Sequence, residues 1–244
     1  MMVVARQVRR SFRAGGTVME VLRGVDLEVA PGELVMLKGR SGSGKTTLMN
    51  LLGGLDDPSA GEVLIGGKPY GAMTEKQRTE VRGRTIGFVF QSAALLPMLS
   101  AYENVELSLR LAGRPLVGWK ERTAECLAQV GLEKRMTHRP YELSGGEQQR
   151  AAIAKAIAHR PELLLADEPT AELDSRMSSR MALLFKRLAR EEGMAICMTT
   201  HDQTIMEVAD RVYEMADGTM AAHAAPAAPE AASAGEGAAR LPAG

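Results

Sequence analysis

The stretch Gly39-Arg40-Ser41-Gly42-Ser43-Gly44-Lys45-Thr46-Thr47 constrains this chain more than any other. It spells G-x-x-x-x-G-K-[ST], a glycine-rich turn suited to holding phosphate. A triphosphate carries several negative charges on closely spaced oxygens, and a run of inward-turned backbone N–H groups makes a concave anion nest. Glycines at 39, 42 and 44 allow the tight backbone and its close approach to the ligand. Lys45 offers a point charge to the β/γ-phosphates, and the Thr46 hydroxyl offers one ligand to Mg²⁺. The flanks suit the motif. Glu33–Lys38 reads as a strand, and Thr47–Leu52 reads as a helix opening beneath the phosphates.

Apolar patterning around the loop predicts an α/β chain. Residues 3–29 alternate as antiparallel strands do, with Val3, Val8, Val21, Leu27 and Val29 facing inward and a turn at Ala14–Thr17. Apolar runs at Ile86–Phe90, Leu163–Ala166 and Ala195–Thr199 read as strands covered on both faces, and Val212–Met215 closes the set. Helices are predicted over 74–83, 104–111, 120–130 and 175–192, and from Ser144 to Arg160, where Pro161 ends the last of these. The expected architecture is a parallel-sheet core with an N-terminal antiparallel β subdomain and a helical subdomain inserted at about 92–158. The ordered domain is expected over 1–220. The Ala/Pro/Gly-rich stretch 221–244 lacks large apolar residues and is expected to be a flexible tail.

Composition removes several function classes. Lys+Arg and Asp+Glu both number 30, so no basic footprint for nucleic acid is expected. No apolar run approaches the length of a membrane span. Arg6, Arg9 and Arg10 follow the first apolar residues, the reverse of a signal peptide. Cys126 and Cys197 stand far apart in apolar runs, as buried small hydrophobes of a reducing compartment do.

Downstream of the loop, Leu163-Leu164-Leu165-Ala166-Asp167-Glu168-Pro169 delivers two acids at the end of an apolar strand. Asp167 is placed to hold Mg²⁺ through water, and Glu168 to polarise an attacking water. Leu143-Ser144-Gly145-Gly146-Glu147-Gln148-Gln149-Arg150 contains a capping box, Ser144 with Glu147. A helix start preceded by glycines is also an anion site.

That last stretch resembles the signature sequence of ATP-binding cassette ATPases, and the resemblance extends over residues 3 to about 220. It implies a phosphate-loop ATPase fold and roles for further residues. Gln91 corresponds to the residue that touches Mg²⁺ and the attacking water, and His201 to the switch histidine near the γ-phosphate. Asp174 corresponds to the acid of the loop joining the two sites, and Phe12 to an aromatic stacked on adenine. It implies that two copies pair head to tail, each ATP lying between one copy's Gly39–Thr47 and the other's Ser144, Gly145, Gly146 and Glu147. A homodimer with separate integral-membrane permease subunits follows, peripheral to the cytoplasmic side of the cell membrane.

The segment Gln91–Ser100 with Glu103-Asn104-Val105 is similar to the branch that serves lipoprotein release and macrolide efflux. That branch often has Gly-Asn where Ala171-Glu172 stand here. The alternative expectation is a cassette ATPase of the cell-division type, signalling through a membrane partner without moving solute.

Overall fold

The computed structural model describes residues 1–113 and 117–223. The first two strands, β1 (Val3–Ala14) and β2 (Thr17–Val29), form a long hairpin through Gly15-Gly16. After β3 (Leu34–Lys38) and α1 (Lys45–Leu52) come β4 (Ala60–Ile65) and β5 (Lys68–Pro69). Next are α2 (Glu75–Arg84), β6 (Ile86–Val89), α3 (Ala101–Leu111), α4 (Trp119–Gln129) and α5 (Gly145–Ile157). The remainder is β7 (Leu163–Asp167), α6 (Ser175–Glu192), β8 (Ala195–Thr199), α7 (Gln203–Met206), β9 (Arg211–Ala216) and β10 (Thr219–His223). Among the described residues no helix is long and apolar enough to cross a membrane.

Two sheets result. The antiparallel one has the order β2-β1-β4-β5, and the other has the order β10-β9-β3-β8-β7-β6. In the second sheet every pairing is parallel except β9 with β10. Alternation along its strands splits the core in two. Leu34, Met36, Leu164, Ala166, Ile196 and Met198 pack with α3, α4, α5 and α6. Val35, Leu37, Leu163, Leu165, Ala195 and Cys197 face α1 and the antiparallel sheet. Both faces are therefore covered, which is why these strands are apolar without a break.

Local signals account for most boundaries. Thr74, Ser100 and Ser144 each close a capping box with Gln77, Glu103 and Glu147, fixing the starts of α2, α3 and α5. Three differences from the sequence reading stand out. Helix α5 stops at Ile157, short of Arg160, because Arg160 takes a left-handed φ of 54° and its N–H turns back to Ile157 O. The Arg122 guanidinium also donates to the carbonyls of Ile157 and Ala158 at this helix end. Val21 is half-buried where an inward position was expected. Strand β10 carries the chain past 220, pairing Ala221 with Glu214 and His223 with Val212. Ala221 and Ala222 give little strand signal, so backbone pairing with β9 decides it. The rest of the expected tail, 224–244, lies outside the described residues.

Candidate functional site

Parallel pairing brings the C-terminal ends of β3, β8, β7 and β6 to one edge of the sheet. Each strand delivers part of the site there, as open α/β sheets do. Strand β3 leads into Gly39–Gly44 and then α1, β7 into Asp167 and Glu168, β8 into Thr199–His201, and β6 into Gln91.

The phosphate-type loop is held by its own backbone and by the C-terminal hairpin. A Cβ on Gly39 would lie 2.3 Å from Met215 O, so only glycine fits between loop and β9. Gly44 takes a φ of 103°, and Leu48 N–H donates to its carbonyl at 2.9 Å, opening α1. Lys45 is buried, and its Nζ donates to the carbonyls of Gly39 at 2.7 Å and Arg40 at 3.1 Å. The Ser43 hydroxyl is buried with no hydrogen-bond partner among the described residues. A buried cation that finds only carbonyls, beside an unsatisfied hydroxyl, matches the requirements of a bound anion.

Thr46 Oγ1 donates to Asp167 Oδ2 at 2.7 Å, and Thr199 Oγ1 donates to Asp167 Oδ1 at 2.6 Å. The same Thr199 oxygen accepts the Glu168 N–H at 2.8 Å. One fully buried hydroxyl thus orients both acids. Glu168 has a φ of 47°, turning its carboxylate away from Asp167's direction and onto His201, whose Nε2 lies 2.8 Å from Glu168 Oε1. Together they border a cavity of about 980 Å³ lined also by Ser41, Gly42, Lys45, Thr46, Thr47 and Gln91.

Other residues singled out in the sequence lie elsewhere. Ser144 caps α5: its Oγ accepts Glu147 N–H at 3.3 Å, while Glu147 Oε2 accepts Ser144 N–H at 2.9 Å. The Ser144 N–H, outweighing burial and aided by the Arg135 guanidinium, holds the Glu147 carboxyl below the usual range. Gly145 borders a separate cavity, with Gln148, Gln149 and Glu172; Gln91 borders both. Within one copy the α5 N-terminus is therefore not part of the phosphate-loop cavity. Asp174 caps α6, its Oδ1 accepting Met177 N–H at 2.9 Å. Phe12 is exposed on β1, opposite Met19, and the Arg10 guanidinium lies 4.6 Å from its ring centroid. Arg10 is itself fixed by Asp56 at 2.7 Å.

Sequence reasoning missed the part played by Thr199 and the cavity wall made by Met19, Arg23 and Gly218. The signal for Thr199 was a hydroxyl closing an apolar strand. No local signal marks the wall, because β2 reaches the loop only through the tertiary fold.

A strand–loop–helix phosphate nest on β3, with two acids at the end of β7 one strand beyond β8 in the same sheet, defines a phosphate-loop nucleoside triphosphatase. Residues 22–171 match the family described as ABC transporter. The chain belongs to that family, as an ATP-binding ATPase cassette. It is 46% identical over 216 residues to the lipoprotein-releasing system ATP-binding protein LolD 1 of Rhodospirillum rubrum, covering 88% of this chain and 96% of that protein. It is 43% identical over 221 residues to the macrolide export ATP-binding/permease protein MacB of Syntrophobacter fumaroxidans, covering 90% of this chain but 31% of the longer protein. A dimeric ATP-binding cassette solved in a post-hydrolysis state with ADP and Pi superposes with a TM-score of 0.88 at 37% identity. That match covers 92% of this chain and 99% of the other.

Proposed function

We propose that two copies of this chain pair around ATP and transmit its hydrolysis to separate integral-membrane permease subunits, in a system of the lipoprotein-release or export type. The observation that carries this is the separation of Gly145 from the cavity of Lys45: one copy supplies only half of a closed site. Ser144, Gly145, Gly146 and Glu147 then meet the partner copy's ATP at the α5 N-terminus, whose N–H groups favour an anion. The similarity to a dimeric cassette and to LolD supports the arrangement. The working location is the cytoplasmic side of the cell membrane, with the chain as far as β10 as the ATPase domain and the helices of 92–158 as its permease-facing part.

Lys45 exchanges its carbonyl partners for β/γ-phosphate oxygens. Phe12 stacks on adenine, using the face of its ring not covered by Arg10. Thr46, Asp167 and Gln91 form an all-oxygen donor set, the chemistry that Mg²⁺ favours. When bound, Mg²⁺ neutralises charge on the transferring phosphoryl group. Glu168 accepts the proton of the attacking water, and His201 fixes the position of that carboxylate. Asp174 holds the start of α6 and with it the loop joining the two sites.

The test is Glu168→Gln with ATP, read by light scattering and phosphate release. The expected result is an ATP-dependent dimer with turnover abolished. A variant that stays monomeric in saturating ATP would overturn the paired site, and normal hydrolysis would overturn the assignment of Glu168.

A further inference from the structure

Gln91 sits outside any helix or strand, in the segment between β6 and α3. Two side chains of α5 hold the backbone on either side of it. Gln149 Nε2 donates to Phe90 O at 3.0 Å, and Lys155 Nζ donates to Ala94 O at 2.6 Å. Both residues sit at a cost. Gln149 is 1% exposed, and its Oε1 has no hydrogen-bond partner among the described residues. Leaving a buried acceptor unmatched is unfavourable, and an apolar residue of similar volume would avoid it. Its helix neighbours Ala151, Ala152, Ala154 and Ala156 are buried, so the local environment selects for apolar side chains. Burial likewise disfavours the Lys155 ammonium and pushes its pKa down.

Gln149, kept where an apolar side chain would pack more easily, and the partly buried Lys155 both spend their donors on the segment that carries Gln91. The helix that supplies them begins at Gly145, capped by Ser144.

We propose that Gln149 and Lys155 are positioning residues of the ATPase. They pin the backbone at 90 and 94, hold Gln91 at the cavity of Glu168 and His201, and make it move with α5. Displacement of the α5 N-terminus by a partner's nucleotide is thereby relayed to Gln91. The inference rests on the reading of Gln91 as part of the ATP site.

The experiment measures steady-state hydrolysis and nucleotide affinity of the purified full chain in variants Gln149→Met, Lys155→Met, Lys155→Arg and Gln91→Ala, alone and combined. The methionine variants keep volume and lose the bond to the segment. Each is expected to lower kcat by ~10-fold with affinity for a fluorescent ATP analogue within about twofold, a loss specific to the transition state. Lys155→Arg restores the donor and is expected to restore kcat. In the Gln91→Ala background the methionine variants should add nothing further, because coupled residues are non-additive. Three outcomes overturn the proposal: kcat unchanged in both methionine variants, losses that multiply fully with Gln91→Ala, or Lys155→Arg as poor as Lys155→Met. If Gln149→Met fails to fold, the Lys155 variants decide alone. Full activity in Gln91→Ala itself overturns the reading of Gln91, and is distinguishable because it needs no α5 variant.

Discussion

His201 Nε2 lies 2.8 Å from Glu168 Oε1, joining the ends of β8 and β7 across the mouth of the phosphate-loop cavity. His201 is half-exposed, so the contact is set by where the two strands end and not by a closed pocket. Replacing His201 with Ala leaves Glu168 without this restraint while Lys45 and Thr46 are untouched. Turnover is expected to fall by ~10²-fold or more, the usual scale for a misplaced acid–base group, with ATP affinity retained. Phosphate release and a nucleotide-binding titration check the two halves; a parallel loss of affinity would show that His201 also supports the loop.

Lys45→Ala removes the buried cation at the centre of the nest. Hydrogen bonds from a charged donor contribute ~1.5–3 kcal/mol, so ATP affinity is expected to fall by ~10- to 100-fold. Calorimetric titration of the variant settles it, and undiminished affinity would overturn the loop as the phosphate site.

Thr199→Val tests the hydroxyl that orients both acids. Valine fills similar space but leaves Glu168 N–H and Asp167 Oδ1 each short of a partner. Urea unfolding is expected to show a loss of ~1–3 kcal/mol, and hydrolysis a drop of at least ~10-fold. Unchanged hydrolysis in a destabilised protein would confine Thr199 to folding.

Both cysteines are free and buried, and burial pushes each thiol up to about 12. At pH 8 hardly any thiolate forms, and the thiolate is the reacting species. A chromogenic disulfide reagent should therefore label fewer than about one thiol in ten in the native chain within minutes, and both after denaturation. Rapid labelling of the folded protein would show that one of the two sits on an opening segment.

Where local chemistry decided the structure, the sequence disclosed it. The run Ala195–Thr199 and the helix over 175–192 match the observed elements, because the strand is covered on both faces and Asp174 and Gly193 stop the helix at its ends. That the glycine-rich loop would join a strand to a helix, and that Asp167 and Glu168 would end a buried strand at the same sheet edge, was legible for a similar reason: such a turn requires particular residues at fixed spacing. What stayed hidden depends on partners far along the chain. Nothing near Gly39 announces that Met215 O would stand 2.3 Å from any Cβ placed there. Nothing near Gln149 announces Phe90 O. The turn at Arg160 lay beyond reach too, since a left-handed residue other than glycine is set by its surroundings.

The position of β3 between β8 and β9 governs the order in which this protein can assemble as it is made. Leu34 pairs with Ile196, and Val35 with Arg211, so both flanks of the central strand are synthesised more than 150 residues after it. Until then β3 has no sheet neighbour, and the loop beyond it lacks its backing at Met215. Long-range pairing of this kind is slow and leaves strand edges open in the meantime. A late interruption of synthesis should leave a nascent chain that fails to hold ATP, although the motif it carries is already complete.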